Sequence, residues 1–138
     1  MDLQGGCYCG AVRYRAVGDP LFKGQCHCRE CQYISGGHPN VVIGMPEAGF
    51  AYVKGKPKQY RRGDLASPVT REFCADCGTH ILSRAPALPG AVLIKVGTLD
   101  EPADRVGKRE PERAGEVEDG ARPKRPANQA IVRHRSAR

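Results

Sequence analysis

Seven cysteines stand in three tight groups: Cys7-Tyr8-Cys9, Cys26-His27-Cys28-Arg29-Glu30-Cys31 and Cys74-Ala75-Asp76-Cys77. Gaps of one or two residues are too short for comfortable disulfides within a group, but they let neighbouring thiolates point at one metal ion. A disulfide framework is the competing use of the same residues. Seven ligands divide naturally into four and three. A zinc ion with four protein ligands is a closed structural site, whereas one with three keeps a position open for water or substrate. The chemistry to expect is a staple together with a Lewis-acid centre, with two Zn²⁺ per chain.

The elements that must position these groups read as strands, so the expected fold class is mainly β. Residues 11–17 alternate apolar and basic side chains, as a half-buried strand does. Further strand segments are expected at 21–28, 40–45, 57–61, 69–74, 80–84 and 91–96, separated by turn residues such as Gly18-Asp19-Pro20 and Gly36-Gly37. One short helical turn is expected at 29–34. On an extended segment residues i and i+2 share a face, which would bring Cys7 to Cys9 and Cys26 to Cys28 and turn Tyr8 and His27 away. The two-residue gap of Cys74–Cys77 fits a tight knuckle that the chain leaves through Gly78 at positive φ, and Gly10 follows Cys9 in a similar way.

Two groupings of the ligands compete. Joining Cys7 and Cys9 with Cys74 and Cys77 closes a tetrahedron and leaves Cys26, Cys28 and Cys31 for a second ion with an open position. Joining Cys28 and Cys31 with Cys74 and Cys77 makes two Cys-x-x-Cys knuckles but strands Cys7, Cys9 and Cys26. The first grouping is preferred because it uses all seven. It also staples residues far apart in sequence, and structural zinc contributes on the order of 10 kcal/mol or more to folding.

Composition bounds the rest. The 138 residues allow one domain. All eight aromatics and all seven cysteines precede residue 78, and apolar patterning ends with residues 91–96. Residues 102–138 carry ten basic and six acidic residues among Pro, Gly and Ala, with four aliphatic Val or Ile and no aromatic. That mixture cannot bury enough apolar area to offset its ordering entropy, so the expected division is a zinc-binding β domain at 1–101 and a disordered basic tail at 102–138. A frameshift in a GC-rich gene yields the same composition, and resequencing through residues 100–138 separates the two. The formal charge is +7. Seven thiolates and two Zn²⁺ lower it to about +4, carried mostly by the tail, so basicity argues little for nucleic acid. No apolar run is long enough to span a bilayer, and Met1 to Gly6 lacks the basic start and apolar run of a secretion signal. An odd cysteine count without such a signal argues for the reducing cytoplasm, so that is the expected compartment.

Taken together, residues 6–14 (GCYCGAVRY), 26–32 (CHCRECQ) with Ser35-Gly36, 73–79 (FCADCGT) and 95–100 (KVGTLD) resemble the glutathione-dependent formaldehyde-activating enzyme family, which includes centromere protein V. The resemblance spans residues 5 to about 101. It implies a zinc-containing fold of the β-tent type, with Cys7, Cys9, Cys74 and Cys77 on a structural zinc and Cys26, Cys28 and Cys31 on a catalytic-type zinc. It also implies a carbon–sulfur lyase acting on thiol–aldehyde adducts such as S-(hydroxymethyl)glutathione, with glutathione as the thiol partner. After Asp100 the chain departs from the ordered, aromatic-containing C-terminal segment usual in the family.

Candidates around the second zinc are Arg29, Arg13 and Lys23 for thiol-substrate carboxylates, and His38 or His80 as proton donor to the adduct oxygen. Each has a plainer reading. His27 is turned away from the ligands, His38 sits in a loop, His80 is a strand histidine, and the charge run from Lys54 to Arg62 is an exposed hairpin face. The alternative function is a non-catalytic adaptor with two structural zincs, in which His27, His38 or His80 supplies a fourth ligand to the triplet.

Overall fold

The computed structural model describes residues 1–102, and the tail expected from residue 102 lies, from residue 103 onward, outside the described residues. The described part is mainly β, as expected. Strand β2 (Arg13–Val17) sends Tyr14 and Ala16 into the core and Arg15 outward, the alternation visible in its sequence. It lies between β1 (Asp2–Gly6) and β5 (Phe50–Lys54) in a three-stranded antiparallel sheet. A second, six-stranded sheet is ordered β3 (Phe22–Cys26), β4 (Asn40–Pro46), β9 (Ala91–Lys95), β8 (His80–Arg84), β7 (Thr70–Phe73) and β6 (Lys58–Tyr60), each antiparallel to its neighbour. Helix α1 (Arg29–Ser35) follows β3. One core joins the sheets: Leu3, Val12, Tyr14 and Ala16 pack with Ile43, Met45, Ile81, Leu82, Val92 and Ile94.

The sequence reading of seven strand segments omits β1 and β5. Strand β1, Asp-Leu-Gln-Gly-Gly, has poor β propensity, and its glycines answer to packing. A Cβ at Gly5 would collide with the Thr98 carbonyl and the Tyr14 hydroxyl, and one at Gly6 with the Val12 carbonyl. That close approach is completed by the 95–100 motif. Tyr14 OH meets Thr98 Oγ1 at 2.8 Å, the Asp100 N–H donates to the Gln4 carbonyl at 3.0 Å, and the Arg13 guanidinium forks onto the Asp100 carboxylate. The motif therefore fastens the end of β9 to the first sheet.

Glu72 makes a second fastening. Its carboxylate is 2 % exposed and accepts from Tyr52 OH (2.5 Å) on β5, Gln59 Nε2 (3.0 Å) and Arg84 Nε (2.9 Å). A buried carboxylate held by three donors is satisfied. Burial and the neighbouring carboxylate both raise the Tyr52 phenol, keeping it a donor. No helix among the described residues is long and apolar enough to cross a membrane.

Candidate metal centre

Two turns of similar build bring Cys7, Cys9, Cys74 and Cys77 together. In one, the Gly10 N–H donates to the Cys7 carbonyl (3.0 Å) and the Cys7 N–H to the Val12 carbonyl (3.0 Å). In the other, the Gly78 N–H donates to the Cys74 carbonyl (2.9 Å) and the Cys74 N–H to the Thr79 carbonyl (2.9 Å). Gly10 (φ 75°) and Gly78 (φ 72°) take the left-handed conformation that each turn requires. Cys7 and Cys9 thus sit on a tight turn beyond the end of β1, which corrects the expectation of an extended segment. An extended Cys-x-Cys shows both sulfurs on one face, but only the turn curls them around a common centre.

The sulfurs of Cys7, Cys9, Cys74 and Cys77 lie within 4.8 Å of one another, with Cys7–Cys9 at 3.5 Å and Cys9–Cys74 at 3.7 Å. A tetrahedron of thiolates about 2.3 Å from a central ion has edges of about 3.8 Å, so the spacing fits a metal. None of the seven cysteines is disulfide-bonded. Hydrogen bonds to sulfur complete the cluster. The Val12 N–H donates to Cys7 Sγ (3.2 Å). Thr79 Oγ1 accepts from the Tyr8 N–H (3.1 Å), which leaves its hydroxyl proton for Cys77 Sγ at 3.1 Å.

Without a cation, four sulfurs so close cannot all ionise. The Thr79 hydroxyl and N–H pull Cys77 down to about 6. At Cys9 the Ala11 N–H favours the thiolate, but the sulfurs of Cys7 and Cys77 outweigh it and push the thiol up to about 12. Burial opposes ionisation at Cys7, yet the Val12 N–H and the sulfurs of Cys9 and Cys74 hold it below its ordinary value. A divalent ion removes this conflict.

The second cluster is built on a strand-to-helix junction. Cys26 ends β3, Cys28 is the N-cap of α1, and Cys31 lies in its first turn, with the three sulfurs within 4.8 Å. The Cys31 N–H donates to Cys28 Sγ (3.4 Å), so one of the three cysteines also caps the helix. Gly36 (φ 75°) ends the helix in the left-handed conformation, and the Gly37 N–H donates to the Gln32 carbonyl at 2.8 Å. Glu30 anchors α1 through Arg71 (2.6 Å) on β7 and Arg62 (3.0 Å). Asn40 Nδ2 donates to Cys31 Sγ at 3.4 Å. Burial and the sulfurs of Cys26 and Cys28 push Cys31 up to about 12 despite that bond.

No histidine, aspartate or glutamate among the described residues joins the three sulfurs. His27 and His38 are exposed, and His38 only offers its carbonyl to Ser35 Oγ. His80 is half-buried, and burial followed by the charges of Lys95 and Arg71 lowers it to about 4, so it is neutral. The competing grouping of Cys28 and Cys31 with Cys74 and Cys77 does not form. Of the candidate cations, Arg13 is committed to Asp100 and Lys23 is exposed on β3. Arg29 is exposed beside Cys28 and stacks over Tyr33, 4.2 Å from the ring centre.

A match to the model of the "Glutathione-dependent formaldehyde-activating enzyme" family covers residues 2–113, and with it all seven cysteines. The chain belongs to this family. A Halomonas elongata protein, provisionally named as a glutathione-dependent formaldehyde-activating enzyme, is 30% identical over 114 residues, covering 79% of this chain and 73% of that protein. A crystal structure of a Rhodobacter sphaeroides protein superposes with a TM-score of 0.61 at 20% identity, over 76% of this chain and 95% of the other, and attests the fold alone.

Residues that bear on the site without having been singled out for it are Asn40 and Arg71, outside the motifs, and Glu30 and Lys95, inside them. Lys95 left a trace: it is the one charge inside the apolar run 91–96. Such a charge on a central strand needs a purpose.

Proposed function

We propose that this chain is a zinc-dependent carbon–sulfur lyase acting on thiol–aldehyde adducts such as S-(hydroxymethyl)glutathione. In this reading Cys7, Cys9, Cys74 and Cys77 hold a structural zinc, and Cys26, Cys28 and Cys31 hold a second zinc with an open position. The observation that carries it is the ligand count: four sulfurs close one cluster, while the other offers three, one of them on exposed Cys28, with no histidine or carboxylate of the described residues within reach. All-thiolate donor sets suit zinc.

When bound at the triplet, zinc supplies Lewis acidity that lowers the pKa of a thiol brought to its fourth position. The chain's own residues do the rest. Cys26, Cys28 and Cys31 fix where the sulfur arrives, and Asn40 holds Cys31 in orientation. In the synthetic direction the thiol loses its proton, its sulfur forms a bond to the formaldehyde carbon, and the carbonyl oxygen gains a proton. The lyase direction reverses each change. Holding thiol and aldehyde side by side accounts for much of the acceleration.

The adaptor reading needs a fourth protein ligand at the triplet, and none of His27, His38 and His80 belongs to that cluster. Elemental analysis of protein purified without added metal tests the proposal: two zincs per chain are expected, and a single zinc would falsify it. Exchange of ¹³C-formaldehyde with glutathione, followed by NMR, should then proceed faster with the enzyme than without it.

A further inference from the structure

Beneath α1 the second sheet carries side chains that the metal clusters leave unused. Register sets Cys26 opposite Asn40, Lys95 opposite Val42, and Leu93 opposite Ser83. Paired residues of antiparallel strands share a face, so Cys26, Asn40, Lys95 and Ser83 belong to one side of the sheet. Lys95 is 7 % exposed, and its ammonium donates to Ser83 Oγ at 3.0 Å. No carboxylate among the described residues lies within ion-pair distance of it. The sulfurs of Cys31 and Cys26 favour its charge from a distance, but among the described residues only Ser83 accepts a hydrogen bond from it, and an ammonium has three donors.

His80 repeats the deficit, because its Nε2 is buried and has no hydrogen-bond partner. Both residues line one cavity of about 290 Å³, together with Asn40, Thr98 and Ser35. Asn40 is also the donor to Cys31 Sγ, so the cavity abuts the three-cysteine cluster. Water can satisfy a lone imidazole nitrogen, but a buried ammonium calls for an anion.

From these observations we infer that the cavity is a carboxylate-binding subsite for the thiol substrate, with Lys95 Nζ pairing with the carboxylate and His80 Nε2–H donating to it. The inference rests on the thiol–aldehyde reading for the identity of the ligand's other end, which reaches Cys26, Cys28 and Cys31. It deepens that reading by naming what selects the thiol: acidic thiols are favoured over neutral ones. The exposed cations Arg29 and Lys23 lack this enclosure.

Calorimetric titration of the zinc-loaded full chain with 3-mercaptopropionate, 2-mercaptoethanol and acetate tests it. The acidic thiol should bind about tenfold or more tightly than the neutral one, the worth of a buried hydrogen bond to a charged group. Lys95→Met should abolish that ratio without altering zinc content or affinity for 2-mercaptoethanol. Lys95→Arg should restore part of it, and His80→Phe should reduce it less. Equal affinities for the two thiols in the native chain, or a ratio that survives Lys95→Met, overturn the subsite and leave the thiol–aldehyde reading standing. Lys95-dependent binding of acetate with no thiol binding supports the anion subsite and overturns the thiol reading. Absence of all binding overturns both. If Lys95→Met fails to fold, the native ratio and the His80→Phe titration decide.

Discussion

The two cysteine clusters share a ligand type and differ in how the chain frames it. The four-sulfur cluster joins two mirrored turns sixty-odd residues apart, each sealed by a glycine at positive φ, and two of its sulfurs are buried. The three-sulfur cluster is local. It spans one strand end and one helical turn, presents Cys28 to solvent, and has beside it a cavity whose lining includes Asn40, His80 and Lys95. Closing a long loop restrains the unfolded chain, whereas closing a six-residue loop restrains little. On the proposed reading, the contrast separates what holds this fold together from what it leaves available for chemistry.

Substitution at the two clusters should therefore give unequal losses. With the proposed structural zinc at the four-sulfur cluster, Cys74→Ser opens the long-range staple and should remove binding free energy on the order of 10 kcal/mol from folding. It should unfold the domain, read as loss of the far-ultraviolet β signal and of both metals; a folded Cys74→Ser protein would sink the assignment. Cys28→Ser should leave the chain folded with metal only at the four-sulfur cluster, and thiol–aldehyde exchange should fall to the uncatalysed rate. A melting temperature that drops as far as in Cys74→Ser would show that the triplet is a staple too.

A subtler cut leaves every sulfur in place. Glu30 holds α1 to Arg71, whose side chain is 9% exposed, and to Arg62. Glu30→Gln leaves Arg71 without its counter-charge and should cost about 1–3 kcal/mol, as loss of a charged hydrogen bond in a part-buried setting does. Because α1 carries Cys28 and Cys31, metal should leave the triplet faster than in the native chain while the four-sulfur cluster keeps its rate. A chelator competition with two resolved phases measures both. Equal acceleration of the phases would refute the separation of the clusters.

What could be read from the residues follows the same contrast. Ligand spacing is a local signal, so the division into four and three, the short helix after Cys28 and most of the strands were legible. The turn at Cys7–Cys9 is not legible, because period-2 spacing alone does not distinguish a strand end from a knuckle. Strand β1 was hidden because Gly5 and Gly6 are chosen by the Tyr14 hydroxyl and the Thr98 carbonyl, neighbours distant in sequence. Lys95, Asn40 and Arg71 belong to the site through cross-strand register, which no spacing along one chain encodes. In the sequence His80 is one candidate histidine among several, and only its buried, unpartnered Nε2 sets it apart.

That nitrogen also gives the smallest expected effect, a dependence on pH. Burial, then Lys95 and Arg71, lower His80 from 6.5 to about 4 in the folded chain. Between those values the unfolded chain binds a proton at this position that the folded chain refuses, so stability falls as pH drops from about 6.5 and levels off below about 4. The contribution is fully present above pH 6.5. His80→Phe removes the titration and should flatten that part of the stability profile, measured by denaturant melts of the zinc-loaded protein at closely spaced pH. Acid release of metal complicates the lower end, since thiolates reprotonate and surrender their ion. The comparison is therefore the difference between native and His80→Phe profiles at constant zinc content. A difference that grows above pH 7 would have the wrong sign for a buried neutral imidazole, and would mean that His80 is charged in the folded chain.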